Sequence, residues 1–251
     1  MEFVVLTGAS RGLGAAMAEC LLSPARQLVC IARTPNDALS AKARASGARL
    51  DYHLHDLADA DATGRLARSL GETLSTAAGV SRFVLVNNAG MIEPIGRVES
   101  LQPAPLARAL QVNLGSAMLL SAVFLAATEA SGAERRILNI SSGAARYPVA
   151  GWSAYCSAKA ALDMFTRCIA AEHAGRPNAP RVCSLAPGVV DTDMQVTIRA
   201  ADRADFPPVE RFRKLKDDGA LGAPAEVAAR IVAYLGRDDF GEREIDDIRD
   251  R

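Results

Sequence analysis

Short apolar runs alternate with longer segments of helical spacing along most of this chain, and no other feature of the sequence constrains the fold as much. Val4 to Leu6, Leu28 to Ala32, Arg49 to His55, Phe83 to Val86, Arg136 to Ile140 and Arg181 to Leu185 read as strands. Helical patterns lie between them at Ala15–Leu22, in an Ala-rich stretch after Pro35, and at Asp59–Ala78, Pro105–Ala130 and Ser153–His173. Apolar strands without an alternating polar face are covered on both sides, and strands separated by helices are joined by right-handed crossovers. The expectation is an α/β fold, a doubly wound parallel sheet forming a single domain over residues 1–251. No linker, internal repeat or low-complexity segment divides it. After Pro187 the pattern changes. Residues from about 191 to 218 are charged, contain Pro207-Pro208 and show helical spacing without a strong apolar stripe, which reads as a mobile lid. Pro224 then opens an amphipathic helix to about Leu235, and Glu244 to Ile248 reads as a short last strand.

Lysine plus arginine number 29 and aspartate plus glutamate 29, so no net field favours nucleic acid or an anionic membrane as a partner. The opening residues carry no basic leader, and no stretch reaches the ~18 uninterrupted apolar residues of a membrane span; a cytoplasmic location is expected. Five scattered cysteines (Cys20, Cys30, Cys156, Cys168, Cys183) and three histidines include no Cys-x-x-Cys pair. That argues against a disulfide framework and against a metal site.

The first strand runs into Thr7-Gly8-Ala9-Ser10-Arg11-Gly12-Leu13-Gly14, three glycines in a strand-to-helix turn. Missing side chains there let backbone N–H groups and a helix N-terminus approach a pyrophosphate, the geometry of a dinucleotide site. An acidic residue that would accept ribose hydroxyls is absent from the end of the second strand, where Ala32-Arg33 stands instead. Arg33 with Arg11 suits a 2′-phosphate, so NADP(H) is expected, although arginines after a strand are also common solvated residues.

Tyr155 and Lys159 are four residues apart in a helical segment and emerge on one face. A cation beside a phenol favours phenolate, so the tyrosine is expected to titrate lower than usual and to exchange a proton with a carbonyl oxygen. Ser142, after the strand Arg136 to Ile140, offers a hydroxyl to polarise the same oxygen. Asn113 is the odd polar residue within its long helix; its amide would bind a backbone group or a water, or cap a local kink.

Together, Thr7 to Gly14, Asn87-Asn88-Ala89-Gly90, Asn113, Ser142, Tyr155 with Lys159, and Pro187-Gly188 resemble the short-chain dehydrogenase/reductase family over nearly the whole chain. The resemblance implies a Rossmann-type fold, a nicotinamide cofactor and no metal. It implies that Tyr155 is the acid/base, that Lys159 binds the nicotinamide ribose, that Ser142 orients the carbonyl and that Asn113 supports a proton relay. Gly8, Ser10, Arg11, Gly12, Leu13 and Gly14 would take the cofactor's phosphates. Asp56 and Leu57 would lie beside the adenine, Asn88, Ala89 and Gly90 along the cofactor, and Pro187, Gly188, Val190 and Thr192 at its carboxamide end. Subunits of the family often pair through their long helices, so a homodimer or homotetramer is expected.

Within the family, Leu28 to Leu39, Tyr155 to Ala161 and Ala186 to Gln195 look most like the sepiapterin reductase and benzil reductase branch, which implies a small-molecule substrate with adjacent carbonyls. A 3-oxoacyl thioester or hydroxysteroid reductase keeps the same four residues, and a non-catalytic NADP(H)-binding redox sensor is the reading of another class. Trp152 and Tyr147 either stack on a planar substrate or pack under the lid. Asp246 is either a carboxylate that holds the substrate or part of a solvated tail.

Overall fold

Glu2–Thr7 forms the first strand (β1) of the computed structural model, which describes residues 1–251. After it come α1 (Gly12–Leu21), β2 (Arg26–Ala32), α2 (Asp37–Ser46), β3 (Arg49–Leu54), α3 (Ala60–Thr76), β4 (Arg82–Asn87), α4 (Pro103–Leu110) and α5 (Ser116–Thr128). The chain continues through β5 (Glu134–Ile140), α6 (Ser153–His173), β6 (Arg181–Ala186), α7 (Asp193–Ala200), α8 (Val209–Asp217), α9 (Pro224–Gly236) and β7 (Ile245–Asp247). All seven strands are parallel, in the order β3-β2-β1-β4-β5-β6-β7. The chain winds outward from β1 to one edge and then returns to β4, so a crevice opens beyond the carboxyl ends of β1 and β4.

The period-two alternation of each strand divides its apolar side chains between two cores. Val4, Leu6, Leu28, Val84, Val86 and Leu138 pack under α1 and α9, while Val5, Val29, Ile31, Leu85 and Ile137 face Leu120 and Phe124 of α5 and Ile169 of α6. Both faces are covered, which is why the inner strands lack an alternating polar face; only the edge strand β3 is partly open. Local chemistry sets the helix ends. Asn36 caps α2 by accepting from the Leu39 N–H at 3.0 Å, Asp59 caps α3 through Ala62 at 2.9 Å, and Gly47 ends α2 in the left-handed region at φ 65°.

At the amino ends of the strands lies a ladder of alternating charge. Arg26 of β2 bonds Glu2 of β1 at 2.5 Å, Arg82 of β4 bonds Glu2 at 2.7 Å and Glu134 of β5 at 2.6 Å, and Arg136 closes on Glu134 at 2.6 Å. Apart from Arg136, which pairs within β5, each charge is matched by its neighbour one strand along.

Two elements differ from the sequence reading. The expected helix Pro105–Ala130 begins at Pro103 and is broken by a wide π turn over Gln111–Gly115 with Asn113 buried in it. The run Pro103–Ser131 is long and apolar enough to cross a membrane by length and composition, with mean hydropathy 1.7; here Leu120 and Phe124 are buried and Val123 lies against Gly71 of α3. The segment from 191 to 218, read as lacking an apolar stripe, buries Ile198, Phe206, Val209 and Phe212 around Trp152. Its apolar residues fall on both sides of Pro207-Pro208 and so belong to no one helical period.

Candidate active site

Beyond the carboxyl ends of the strands is a cleft of about 700 Å³, lined from the glycine turn at one end to α8 at the other. Gly8 (φ 75°) and Gly12 (φ 57°) take a backbone that side chains rarely adopt. Gly14 lies so close that an added Cβ would stand 2.1 Å from the Gly8 carbonyl oxygen. No side chain caps α1 and no acid sits in its first turn, so its leading N–H groups are left for an anion. The turn is braced by Thr7, whose Oγ1 accepts from the N–H of Asn88 and of Ala89, both at 3.0 Å, and whose carbonyl accepts from Asn88 Nδ2 at 2.9 Å. This glycine cradle fits a dinucleotide's phosphates.

Ser10, Arg11, Leu13, Arg33, Asp56, Leu57, Asn88, Ala89 and Gly90 also line the cleft, as do Pro187, Gly188, Val190 and Thr192. Asp56 accepts from the Ala58 N–H at 3.0 Å and from Arg108 of α4 at 2.9 Å. Arg11 is exposed and pairs with Asp193 of α7 at 3.0 Å, while Arg33 stays exposed at the cleft edge.

Tyr155 and Lys159 are buried on α6 (7% and 4% exposed) and border the cleft with Ser142. The lysine Nζ donates to the Ile140 carbonyl at 2.8 Å and lies 5.8 Å from the centre of the Tyr155 ring. Asn113 stands behind this group rather than on the cleft wall. The π turn aims its carboxamide at the Met91 backbone, where Oδ1 accepts from the N–H at 2.9 Å and Nδ2 donates to the carbonyl at 2.8 Å. Gly90 leaves room between them: a Cβ there would be 3.1 Å from Asn113 Oδ1 and 3.6 Å from Lys159 Nζ.

Burial pushes the Tyr155 phenol up to about 12, against the hydrogen bond from Ser142. Burial also pulls Lys159 down to about 8, against the charge of Asp163. The tyrosine, expected to titrate lower than usual, is thus raised in the protein alone, because burial disfavours the charged phenolate.

The far end of the cleft is apolar, with Ile92, Val149, Met194, Ile198, Phe212 and Leu215 on its walls and Tyr147 half exposed at the mouth. Trp152 borders this end but is 6% exposed, stacked on Phe206 at 4.8 Å and edge-on to Tyr155 at 5.7 Å. Asp246 lies where neither expectation placed it. It is neither on the cleft nor solvated; β7 pairs with β6 and turns it inward, where it accepts from Tyr234 Oη at 3.0 Å and Arg251 Nε at 2.6 Å. The sequence reading missed Arg108, Glu93 and Arg249, which all line the cleft. Of these only Arg108 had a signal, its place one helical stretch before Asn113.

A model of the short chain dehydrogenase family matches residues 2–203. A benzil reductase, (S)-benzoin forming, from Bacillus cereus is 35% identical over 98% of this chain and 98% of its own length; one from Bacillus subtilis is 37% identical over 94% and 93%. A sepiapterin reductase from Mus musculus is 34% identical over 94% and 92%. Among solved structures, the KRED1-Pglu enzyme superposes with TM-score 0.80 at 30% identity over 97% of this chain and 99% of that one. A short chain dehydrogenase from Burkholderia cenocepacia in complex with NADP gives 0.74 at 27% identity over 97% and 94%. With these relatives covering its length and a cradle for a nicotinamide dinucleotide at its centre, the chain belongs to the short-chain dehydrogenase/reductase family and is an oxidoreductase acting on CH–OH and C=O groups.

Proposed function

We propose that this protein reduces a vicinal dicarbonyl with NADPH, Tyr155 giving the proton. The observation that carries the reading is the convergence of Ser142, Tyr155 and Lys159 at one point of the cleft, between the glycine cradle and an apolar wall. The benzil and sepiapterin reductases among its relatives support the choice of substrate class. A carbonyl beside another is more electrophilic than an isolated ketone, and Ile92, Val149, Met194 and Phe212 suit apolar substituents on either side of it.

Gly8, Ser10, Gly12, Leu13 and Gly14 would hold the pyrophosphate with the α1 N-terminus, and Arg33 with Arg11 the 2′-phosphate. Asp56 and Leu57 border the adenine, Asn88 to Gly90 the middle of the cofactor, and Pro187, Gly188, Val190 and Thr192 its carboxamide. When bound, NADPH supplies the hydride. The Ser142 hydroxyl orients the substrate oxygen, and Tyr155 donates its proton to that oxygen as negative charge develops. Lys159 then balances the phenolate, and a water held beside Asn113 Oδ1 in the gap over Gly90 would carry a proton back from solvent. Trp152 positions Tyr155 by edge-on packing.

The reading extends to a homodimer or homotetramer through α5 and α6, where Met118 and Met164 are exposed, and to the cytoplasm, which keeps five free thiols reduced.

The test follows NADPH oxidation with benzil, other vicinal diketones, sepiapterin, an acetoacetyl thioester and a simple ketone. Diketones are expected to react fastest, and Tyr155→Phe to lower kcat/KM by about 1000-fold with NADPH affinity within about 2-fold of native. Preference for the thioester would reassign the substrate. Equal efficiency with NADH would overturn the cofactor choice, and a fully active Tyr155→Phe protein would overturn the proton donor.

A further inference from the structure

We infer that Asp163 is a positioning residue, the buried counter-charge that keeps Lys159 cationic; this rests on the reading of Tyr155 and Lys159 given above. Tyr155, Lys159 and Asp163 follow one another at four-residue intervals and therefore share one face of α6. All three are buried.

Asp163 is 7% exposed, and its Oδ1 accepts from Ser141 Oγ at 2.5 Å and from Ser184 Oγ at 2.6 Å. Hydroxyl contacts this short are those made to an ionised carboxylate. The donors come from just past the end of β5 and from within the adjacent β6, and Ser141 immediately precedes Ser142. The carboxylate thus holds the turn that carries Ser142 while its charge acts on Lys159.

The charges around this group leave few other candidates. Facing Lys159 are the Tyr155 ring on its own helix, the Ile140 carbonyl at the end of β5, and Asn113 across Gly90. On the far side of Asp163, Cys183 of β6 lies near Tyr234 of α9, and Asp246 of β7 is matched by Arg251. Asp163 has hydroxyls alone as hydrogen-bond partners, so its negative charge is not spent on an arginine. Desolvation works against the ammonium, and Asp163 is the group that works for it.

The chain has only four lysines, Lys42, Lys159, Lys214 and Lys216, so the protein labelled with ¹³Cε-lysine gives four side-chain signals, with Lys159→Arg identifying one. Asp163→Asn keeps the shape and an oxygen that accepts from both serines, and removes only the charge. The Lys159 signal, expected to titrate at about 8 in the native protein, should move toward acid by about one pH unit. The alkaline limb of kcat/KM for diketone reduction should move with it, and Asp163→Glu should restore both.

An unmoved Lys159 titration in folded Asp163→Asn protein overturns the inference, as does a fall in activity equal at every pH. Should Asp163→Asn fail to fold, Asp163→Ser, which leaves room for a water between the two serines, is titrated in its place against the same expectation. An inactive Tyr155→Phe protein with an unmoved Lys159 signal rejects this inference alone. Full activity in Tyr155→Phe rejects the reading of the site, while the lysine titration still reports on Asp163.

Discussion

With its pKa pushed up to about 12, Tyr155 keeps its proton throughout the neutral range, the state a donor in the reductive direction requires. The limit on the alkaline side then falls to Lys159, pulled down to about 8. The lysine is charged below that value and neutral above it, so reduction should be flat in mildly acidic buffer and fall as pH rises through about 8. A kcat/KM profile that climbs beyond that point would contradict the assignment. Gly90 offers a second test at this scale. In Gly90→Ala the new methyl stands 3.1 Å from Asn113 Oδ1 and 3.6 Å from Lys159 Nζ. We expect kcat to fall about 10-fold with little change in Tm, because the substitution narrows the space between two side chains without disturbing a strand or core.

At the scale of elements, what was legible in the sequence is what burial on both faces makes obvious. Val4 to Leu6, Leu28 to Ala32 and Phe83 to Val86 have no polar alternation because two cores claim them, and Tyr155 and Lys159 show their shared face by spacing alone. The π turn at Asn113 showed only as an odd polar residue in a long helix, read as binding a backbone group or capping a kink; the backbone it binds, that of Met91, is too distant in sequence for spacing to reveal. The aromatic cluster around Trp152 was hidden for a related reason: Phe206, Val209 and Phe212 join it from either side of a proline pair. Asp246 was misplaced because its partners, Tyr234 and Arg251, are brought to it only by β7 joining the sheet. The cluster makes its own prediction. Phe206 is fully buried and stacked on Trp152, so Phe206→Ala should cost about 3 kcal/mol in urea unfolding. It should also raise KM for diketones, since α7 and α8 lose their anchor; a change below about 1 kcal/mol would show that this segment packs loosely.

In the whole molecule, the charge ladder and the cleft occupy opposite ends of the same parallel strands. Burial works against ionisation of Glu2 and Glu134, but their arginine partners hold both carboxyls below the ordinary value of 4.5. A carboxyl depressed in the folded state stabilises fully above its unfolded value and ceases to do so as pH falls through the folded one. Acid unfolding of the native protein should therefore steepen below about pH 4.5, and Glu2→Gln with Glu134→Gln should flatten that dependence while leaving KM unchanged. A shifted KM would show that the two ends are coupled. The strands that separate them are about 20 Å long, beyond the range over which substitutions usually interfere. A lineage built on this sheet is therefore free to acquire new substrates at one rim and tolerance of harsher conditions at the other, in either order, without the later change undoing the earlier.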